Sequence, residues 1–467
     1  MTPPVCEAPP RPCGPTALTE PVREPIAEPI RDPSRAPVSM SSRHYLQLVL
    51  VLGALIALGP LSIDMYLPAL PSLGADLGAS ESAVQATITG MLIGLGVGQL
   101  IIGPLSDAIG RRRPLIVGVA THLLASVLCA LAPNIAMLTG ARVLQGLAGA
   151  AVSVVSMAIV RDLFSGMAAA QLLSRLMLVM GIAPILAPSL GGLVLAGASW
   201  RGIFVILAVA AFLLIWVAVF GLRETLPVER RRPAKLGPVL RTYRTLLRDR
   251  EFMALVVIGG LMFATMFAYI SGSPFLLQNV YGLSAGTFAM VFGVNAFGLV
   301  LATQVNPKLV RRFGPRRVLQ GAVVMAAVAA LTMLVAAATD VGGLPLVLGP
   351  LWFIIAACGF SFPNTPALAL TRHGEAAGTA AALLGSAQFV VGGLAAPLVG
   401  ALGTGSALPM AGVMSVATAT AAILALAAVR GSTPPAAPRT DTTALDTEKA
   451  AGVLPRTTVA ASVAGRN

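Results

Sequence analysis

The amino-acid sequence predicts an all-α integral membrane protein with twelve membrane-spanning helices in two halves of six. Of its 467 residues, 56% are hydrophobic and only 11% are charged, whereas about a quarter of a typical soluble domain is charged. Apolar runs recur along almost the whole chain, and about 20 such residues allow a helix to cross the hydrocarbon core. Basic residues gather in alternate connections between these runs, as expected for a chain that crosses a membrane many times.

The apolar runs define the twelve predicted spans, each of them long enough to cross a bilayer as a helix. In chain order the spans cover residues 46–70, 83–106, 113–132, 136–160, 168–197, 201–222, 252–278, 284–305, 317–338, 345–370, 376–402 and 406–429.

The distribution of charge predicts the orientation of the spans. If the N-terminus is cytoplasmic, 30 of the 32 Lys and Arg residues lie on the inner side, Arg142 falls within a span and Arg201 lies outside. This asymmetry favours an even number of spans with both termini in the cytoplasm. It also accounts for the formal net charge of +13 without nucleic acid as a partner.

Polar segments divide the chain into five parts. Residues 1–45 are rich in Pro and charge and are predicted to be a disordered cytoplasmic tail without the apolar core of a signal peptide; either Met1 or Met40 is its start. The remaining parts are a six-helix half (46–222), a basic cytoplasmic linker (223–250), a second six-helix half (251–430) and a disordered cytoplasmic tail (431–467).

The two halves carry a repeated motif. GPLSDAIGRRRPL after span 2 matches NPKLVRRFGPRRVL after span 8 when Gly110 is aligned with Gly314, an offset of 204 residues. Asp107 then aligns with Arg311, so one acidic group is expected at this motif instead of two. Two similar six-helix halves around a pseudo-twofold axis, with a site between them at mid-depth, are typical of secondary transporters.

Successive motifs resemble those of the major facilitator superfamily. They are LGPLSIDMYLPALPSL, GPLSDAIGRRRPL, RVLQG and GIAPILAPSLGG in the first half, and YISGSPFLLQNVYGLS, FGVNAFGL and GFSFPNTPALAL in the second. Over residues 46–430 the chain looks like a drug:proton antiporter of the Bcr/CflA subfamily, which includes bicyclomycin and phenicol resistance exporters. The resemblance implies the major facilitator fold and proton-driven export of antibiotics or other small amphipathic compounds across the bacterial plasma membrane by alternating access.

Asp64 is the acidic residue that the sequence places well inside a span. A carboxylate at membrane depth is costly and usually has a function. Asp64 is therefore either a protonatable coupling group or a structural carboxylate that bonds to nearby backbone.

Arg142 in span 4 is the candidate partner of Asp64. Both residues lie about six residues from the predicted outer ends of their spans, which is about 9 Å deep at about 1.5 Å per residue. We expect the two side chains to meet, and proton and substrate to compete for the state of the pair. The alternative is that Arg142 extends toward the outer surface.

The motif after span 2 predicts a cytoplasmic gate. Asp107 and Arg111 are spaced to pair on one helix face, while Gly103 and Gly110 suit tight packing and a sharp turn. The resemblance implies that Asp107 and the following arginines, Arg111 and Arg112, latch the two halves near the N-terminus of span 11 in the outward-facing state. The alternative is an ordinary loop whose arginines only follow the charge asymmetry.

Span 5 contains a segment that the resemblance associates with antiporters. Pro184 and Pro188 remove backbone donors and favour a kink, and Gly191 and Gly192, with Gly181 at the start, permit close helix contact. Plain helix packing is the alternative.

The resemblance places a substrate pocket between the halves. Apolar walls with a few polar groups suit amphipathic compounds, and Met adapts to varied shapes. The alternative for each candidate is packing or contact with lipid. The candidates are Tyr66, Met180, Phe267, Tyr269, Ser273, Gln278, Asn295, Asn364 and Gln388.

The sequence does not favour an enzyme, because it shows no phosphate-binding glycine loop and no His/Cys cluster with ligand spacing. The four cysteines are expected to be free thiols. We therefore expect neither cofactor nor metal, and a monomer whose partners are a small-molecule substrate, the proton and the lipid bilayer. Export of one endogenous metabolite, or a sensor or scaffold that transports nothing, are the alternatives to drug export.

Overall fold

The computed structural model describes residues 42–164, 166–231, 236–371, 373 and 377–428, and within them the regular structure is helical. The predicted tails lie outside these residues, except for residues 42–45, which begin the first helix. The helices are α1 (Ser42–Asp64), α2 (Leu70–Leu77), α3 (Glu81–Ile109), α4 (Arg112–Ala130), α5 (Ile135–Leu163), α6 (Gly166–Gly197), α7 (Trp200–Gly221), α8 (Leu236–Arg248), α9 (Arg250–Phe275), α10 (Ala285–Phe313), α11 (Pro315–Thr339), α12 (Gly343–Thr371), α13 (Ala377–Leu402) and α14 (Leu408–Ala428).

The helices confirm the twelve predicted spans. Within the described residues, eleven helical segments are long and apolar enough to cross a membrane. The remaining span is α6, a helix of 32 residues that includes the apolar helical segment Gly181–Gly197. The first half comprises α1 to α7 and the second half α9 to α14, and together they form the predicted arrangement of two six-helix halves.

The first span differs from the single helix that was predicted over residues 46–70. α1 ends at Asp64, a 3-10 turn follows over Leu67–Ala69, and α2 completes the span. Pro68 explains the break, because it lacks a backbone N–H and disfavours helical geometry at the residue before it. The break makes Asp64 the last residue of α1, so no further turn of that helix follows it.

The repeated motif has the same backbone form in both halves. Gly110 follows α3 with a φ of 97°, and Gly314 follows α10 with a φ of 80°. Side chains rarely adopt such angles, so glycine is the residue that fits both turns. The sharp turn predicted at Gly110 is confirmed, and the alignment at an offset of 204 residues corresponds to structurally equivalent positions.

The predicted linker contains the additional helix α8, which packs against α9 and α13. Its Leu246 is buried, whereas Arg241 and Arg244 are exposed, as expected for an amphipathic helix at a surface. We call the end of the bundle with α8, Gly110 and Gly314 the linker end. The opposite end, with α2, the start of α3 and the end of α13, is the far end.

Two helix pairs join the halves. α3 packs along α13, and α6 packs along α10. Glycines bring the first pair close together: a Cβ on Gly96 would lie 3.1 Å from the Ser386 carbonyl oxygen, and a Cβ on Gly393 would lie 3.1 Å from Leu92. These two pairs form the side walls of the space between the halves.

Candidate functional site

A cavity of about 1200 Å³ lies between the two halves. It extends from Asp64 and Tyr269 to Asp107, Asp162 and Tyr243 at the linker end, so its walls come from both halves and from α8. Beyond Asp64 the halves are in contact; for example, the Thr89 hydroxyl donates to the Gly393 carbonyl over 2.7 Å. The cavity is therefore open toward the linker end and closed toward the far end.

Asp64 lies at the closed end of this cavity. Its side chain is only 5% exposed, and it lines the cavity together with Tyr269 of the second half. Tyr269 stacks on Phe292 at 5.2 Å between ring centroids. The predicted coupling residue thus lines the cavity between the halves.

α6 fits closely into the break that follows Asp64. A Cβ on Gly191 would lie 2.0 Å from the Met65 carbonyl oxygen, a distance that no side chain tolerates. The predicted close contact is therefore present at Gly191. A Cβ on Gly192 would meet the Ala285 carbonyl oxygen of the second half at 3.7 Å, which is ordinary contact.

The first part of the predicted antiporter segment faces the cavity. α6 continues through Pro184 and Pro188 without interruption, and Gly181 and Pro184 line the cavity. Gly181 also faces Val300 of α10, to which a Cβ would lie 3.3 Å away. The segment therefore contributes to the cavity wall, to the α6–α10 pair and to the support of Asp64.

Arg142 does not pair with Asp64 in this conformation. Among the described residues no ion pair joins the two; instead, Arg142 Nη1 donates to the Ser62 carbonyl oxygen at 2.8 Å and to Gln145 Oε1 at 2.7 Å. The guanidinium lies over the Tyr66 ring, 4.8 Å from its centroid. Arg142 does lie beside the end of α1, as its predicted depth suggested. Its guanidinium is directed at the Ser62 carbonyl and not at Asp64, because depth along a helix does not determine the side of the helix on which a residue lies.

A buried polar network surrounds Arg142. Gln145 Nε2 donates to the Ser126 hydroxyl at 2.9 Å, and that hydroxyl donates to the His122 carbonyl at 2.8 Å. His122 Nε2 lies 3.1 Å from the Ser62 hydroxyl. Sequence reasoning missed Gln145, Ser126 and Ser62, although the position of Gln145 within RVLQG, one helical turn after Arg142, was an available signal.

The predicted gate residues form a charge cluster at the cavity mouth. Arg111 Nη1 lies 2.6 Å from Asp107 Oδ1, which confirms the predicted pair, and Arg111 Nε lies 2.9 Å from Asp162 Oδ2. Arg111 also donates to the Ser106 hydroxyl at 2.7 Å. Asp162 was not predicted, because it lies 51 residues along the chain in α5 and meets Arg111 only through tertiary packing.

Glu224 fixes the turn between α3 and α4 and was also missed. Its carboxylate accepts from the backbone N–H groups of Arg111 and Arg112 at 2.8 and 3.2 Å. Burial raises the pKa of Glu224, but these hydrogen bonds and those from Leu226 and Thr225 outweigh burial and hold the pKa below its usual value. The Arg112 side chain donates to the Val219 carbonyl at 2.7 Å.

The two gate glycines differ in their surroundings. A Cβ on Gly110 would lie 2.5 Å from Glu224 Oε2, whereas no atom lies within 4 Å of the Cβ position of Gly103. The tight packing predicted for Gly103 is therefore absent in this conformation, because Gly103 faces the open cavity mouth.

The pocket candidates fall into three sets. Phe267, Tyr269 and Gln388 line the cavity. The Met180 side chain lies outside the described part of the structure. The other candidates are not among the lining residues: Tyr66 bonds Thr87, Gln278 bonds the Pro68 carbonyl, Asn295 bonds Tyr269, Asn364 bonds Asn306, and Ser273 is fully buried.

Aromatic side chains of the second half form a wall that sequence reasoning largely missed. The Phe263 ring lies 4.7, 5.6 and 6.2 Å from the rings of Phe362, Phe389 and Phe267, and all four line the cavity. We call these four residues the aromatic wall. Phe263 and Phe267 are four residues apart on one helix face, but Phe362 and Phe389 come from α12 and α13, and only the fold brings them together.

Comparison with known proteins adds independent findings. The family model described as Major Facilitator Superfamily matches residues 52–397. The chain is 39% identical to an uncharacterized MFS-type transporter, YdgK, of Bacillus subtilis (strain 168), over 80% of this chain and 94% of the relative. It is 30% identical to a bicyclomycin resistance protein homolog of Haemophilus influenzae, over 78% of this chain and 91% of the relative.

Two further similarities concern the drug-resistance relatives and the fold. The multidrug resistance protein MdtL of Escherichia coli O81 is 31% identical, over 72% of this chain and 83% of that protein. The crystal structure of a D-xylose-proton symporter superposes with a TM-score of 0.65 at 18% identity, covering 83% of this chain and 98% of the symporter. At that identity, the superposition shows a shared fold.

Proposed function

This chain belongs to the major facilitator superfamily, and we propose that it is a proton-coupled secondary antiporter that exports antibiotics or other small amphipathic compounds across the plasma membrane. The resemblance to the Bcr/CflA-type drug antiporters is confirmed by relatives named for bicyclomycin resistance and multidrug resistance. Transport of a small molecule by a multi-pass membrane protein follows from the family, while the direction, the proton and the compound class are the proposal.

One observation carries this proposal: a buried carboxylate ends a large cavity between the halves. Asp64 lies at the closed end of about 1200 Å³ of mostly apolar and aromatic space. Asp107 and Asp162 also line the cavity, but both pair with Arg111 at the mouth. Among the described acidic residues that line the cavity, Asp64 is therefore the one without an ion-pair partner and the one available to exchange a proton.

The charge asymmetry of the sequence supports the orientation. The linker end carries the basic linker and both basic turns, so the positive-inside rule assigns it to the cytoplasm. The open cavity then faces the cytoplasm, where an exporter takes up its substrate. In the opposite conformation, Asp64 would be reached from outside.

The geometry supports a simple exchange at Asp64. A protonated Asp64 is the form best suited to a desolvated position, and release of its proton into the cytoplasm-facing cavity leaves a carboxylate that a bound compound or its hydrogen-bond donors can stabilise. Proton and substrate thus compete for one group, which is the requirement for antiport. Arg142 contributes by holding the Ser62 carbonyl, and so the end of α1, in place.

The cavity walls support the compound class. The aromatic wall offers flat apolar surface, and Gln388, Gln99 and Thr303 add isolated polar groups among the lining residues. A mostly apolar pocket with a few polar groups binds amphipathic molecules of drug size, and aromatic faces also stack on planar or cationic groups.

The test is a compound panel on everted membrane vesicles with a pH-sensitive dye. The wild-type protein is expected to release protons from acidified vesicles when an exported compound is added, and Asp64→Asn is expected to abolish this response. Asp340→Asn is the matched control, because Asp340 lies in a loop with a φ of 53°, a conformation that Asn also adopts. Full proton-driven export by Asp64→Asn would contradict the proposal, and a response to one endogenous metabolite alone would support the narrower alternative.

A further inference from the structure

The pair formed by α3 and α13 is closed at one end and open at the other. At the far end the two helices are in contact, whereas at the linker end Asp107 of α3 and Gly378 and Thr379 of α13 line opposite sides of the cavity mouth. Because this pair joins the halves, alternation of the open side requires its far-end contacts to break.

Hydrogen bonds hold the far end of this pair together. The Thr404 hydroxyl, just after α13, donates to Glu81 Oε2 at the start of α3. The Ser82 hydroxyl donates to the Pro397 carbonyl at 3.2 Å. A Cβ on Gly400 would lie 2.7 Å from the Ser82 Cα, so the backbones themselves are in close contact.

Gln85 lies one helical turn below these contacts. Its side chain is fully buried, and neither its amide oxygen nor its amide nitrogen has a hydrogen-bond partner within the described part of the chain. It faces Gly400, whose Cβ would lie 2.8 Å from Gln85 Oε1. A buried amide without partners destabilises the state that buries it, whereas water satisfies the same amide once it is exposed.

We call the contacts between α3 and α13 at the far end the far-end gate. We propose that the unpaired Gln85 amide favours opening of this gate, whereas the Glu81–Thr404 hydrogen bond favours its closure. Closure leaves the Gln85 amide unpaired, and opening hydrates it, so Gln85 favours opening of the far end while Thr404 favours closure. The ratio of the two conformations is set by this opposition. The inference rests on the alternating access of the proposed function but not on the proton or the compound class.

The test measures the conformations directly. Spin labels at exposed Ala75 and Ala401, with Cys6 and Cys13 replaced by serine, report the far-end distance in lipid nanodiscs without substrate or pH gradient. Gln85→Leu, which removes the amide at similar volume, is expected to raise the ratio of closed to open far ends by about tenfold. Thr404→Val, which removes the hydroxyl at similar shape, is expected to lower that ratio several-fold.

Gln320→Leu is the matched control. Gln320 donates to the Ala425 carbonyl at 2.9 Å within the second half, away from the far-end gate, so its replacement is expected to lower thermal stability without changing the distance distribution. The proposal is overturned if Gln85→Leu leaves the distribution unchanged or shifts it toward opening, or if Gln320→Leu produces the same shift. Because neither substrate nor protons enter the measurement, its outcome is independent of the vesicle assay.

Discussion

The two halves share a backbone plan but differ in what they bury. Among the described residues, the buried Asp and Arg side chains, Asp64, Arg111 and Arg142, all belong to the first half. The second half instead presents the aromatic wall and the stacked Tyr269 and Phe292 to the cavity. Under the proposed function, this difference predicts that the first half carries the proton and that the aromatic rings of the second half contribute most to the binding of aromatic compounds.

The two repeated turns show the same difference between the halves on a similar backbone. Gly110 and Gly314 have the same left-handed backbone, so the sharp turn is common to both. The first-half turn is held by Arg111, Asp162 and Glu224, whereas exposed Arg311 stands in the second half where the first has Asp107. The backbone of the repeat is thus independent of its charge cluster.

The largest expected effect tests the fit around Asp64. Gly191→Ala places a methyl group against the Met65 carbonyl and must displace α6 or the end of α1, so we expect loss of at least ten-fold in export rate, since a shift of about 1 Å at a site can cost about a hundred-fold. Gly192→Ala meets only ordinary contact and is the control. Initial export rates in vesicles measure both, and equal rates would show that the fit at Gly191 is not required.

The second prediction compares the two turns. Arg111→Gln leaves Asp162 without its buried partner and is expected to lower the free energy of unfolding by about 1–3 kcal/mol, less than for a fully buried pair because Asp107 and Asp162 are partly exposed. Arg311→Gln removes an exposed charge and is expected to change it by less than about 0.5 kcal/mol. Unfolding of the purified protein in detergent measures both, and similar losses would remove the distinction between the turns.

A third prediction concerns the aromatic wall. Phe263→Leu removes the ring that contacts three others while keeping an apolar side chain, so we expect a several-fold rise in KM for aromatic compounds, with proton release per compound unchanged. Val257→Leu is the control, because Val257 lies on the same helix but is exposed and does not line the cavity. If Phe263→Leu instead abolished proton release, the division between the halves would not hold.

The smallest expected effect is a pH dependence at Glu224. Because the pKa of Glu224 in the folded protein lies below its usual value, its contribution to stability is present above that usual value and is lost as the pH falls through the lower folded value. Hydrogen exchange at the Arg111 and Arg112 amides, corrected for intrinsic rates, is expected to be faster in Glu224→Gln at neutral pH. Wild type and variant should converge in acid; divergence there would contradict the role of Glu224.

The sequence predicted the fold because membrane helices are encoded locally. Each span needs only a run of apolar residues, and the charge asymmetry needs only a count of Lys and Arg in the connections. All twelve spans were therefore predicted, with ends that differ from the helix ends by up to eight residues. The break after Asp64 was not predicted, because Pro68 lies inside a run of mostly apolar residues that reads as one continuous span. Hydropathy does not distinguish one helix from two that share a span.

The contacts of the candidate site were predicted only in part, and the roles of its residues stay predictions. Asp107 pairs with Arg111 as predicted, and Asp64 lines the cavity but does not meet Arg142. The direction of Arg142 depended on helix rotation, and the positions of Asp162 and Glu224 depended on packing between segments distant in sequence. Neither can be read from composition or spacing.

The placement of α8 gives the linker between the halves a structural part in the cavity. Tyr243 of α8 forms part of the wall at the cavity mouth, and α8 is held there by buried Leu246. Under the proposed function, a compound that enters from this side would contact the linker helix before it reaches Asp64. Cutting or lengthening the chain in this segment would therefore change the shape of the cavity mouth. The segment that connects the two halves is also part of the entrance to the cavity.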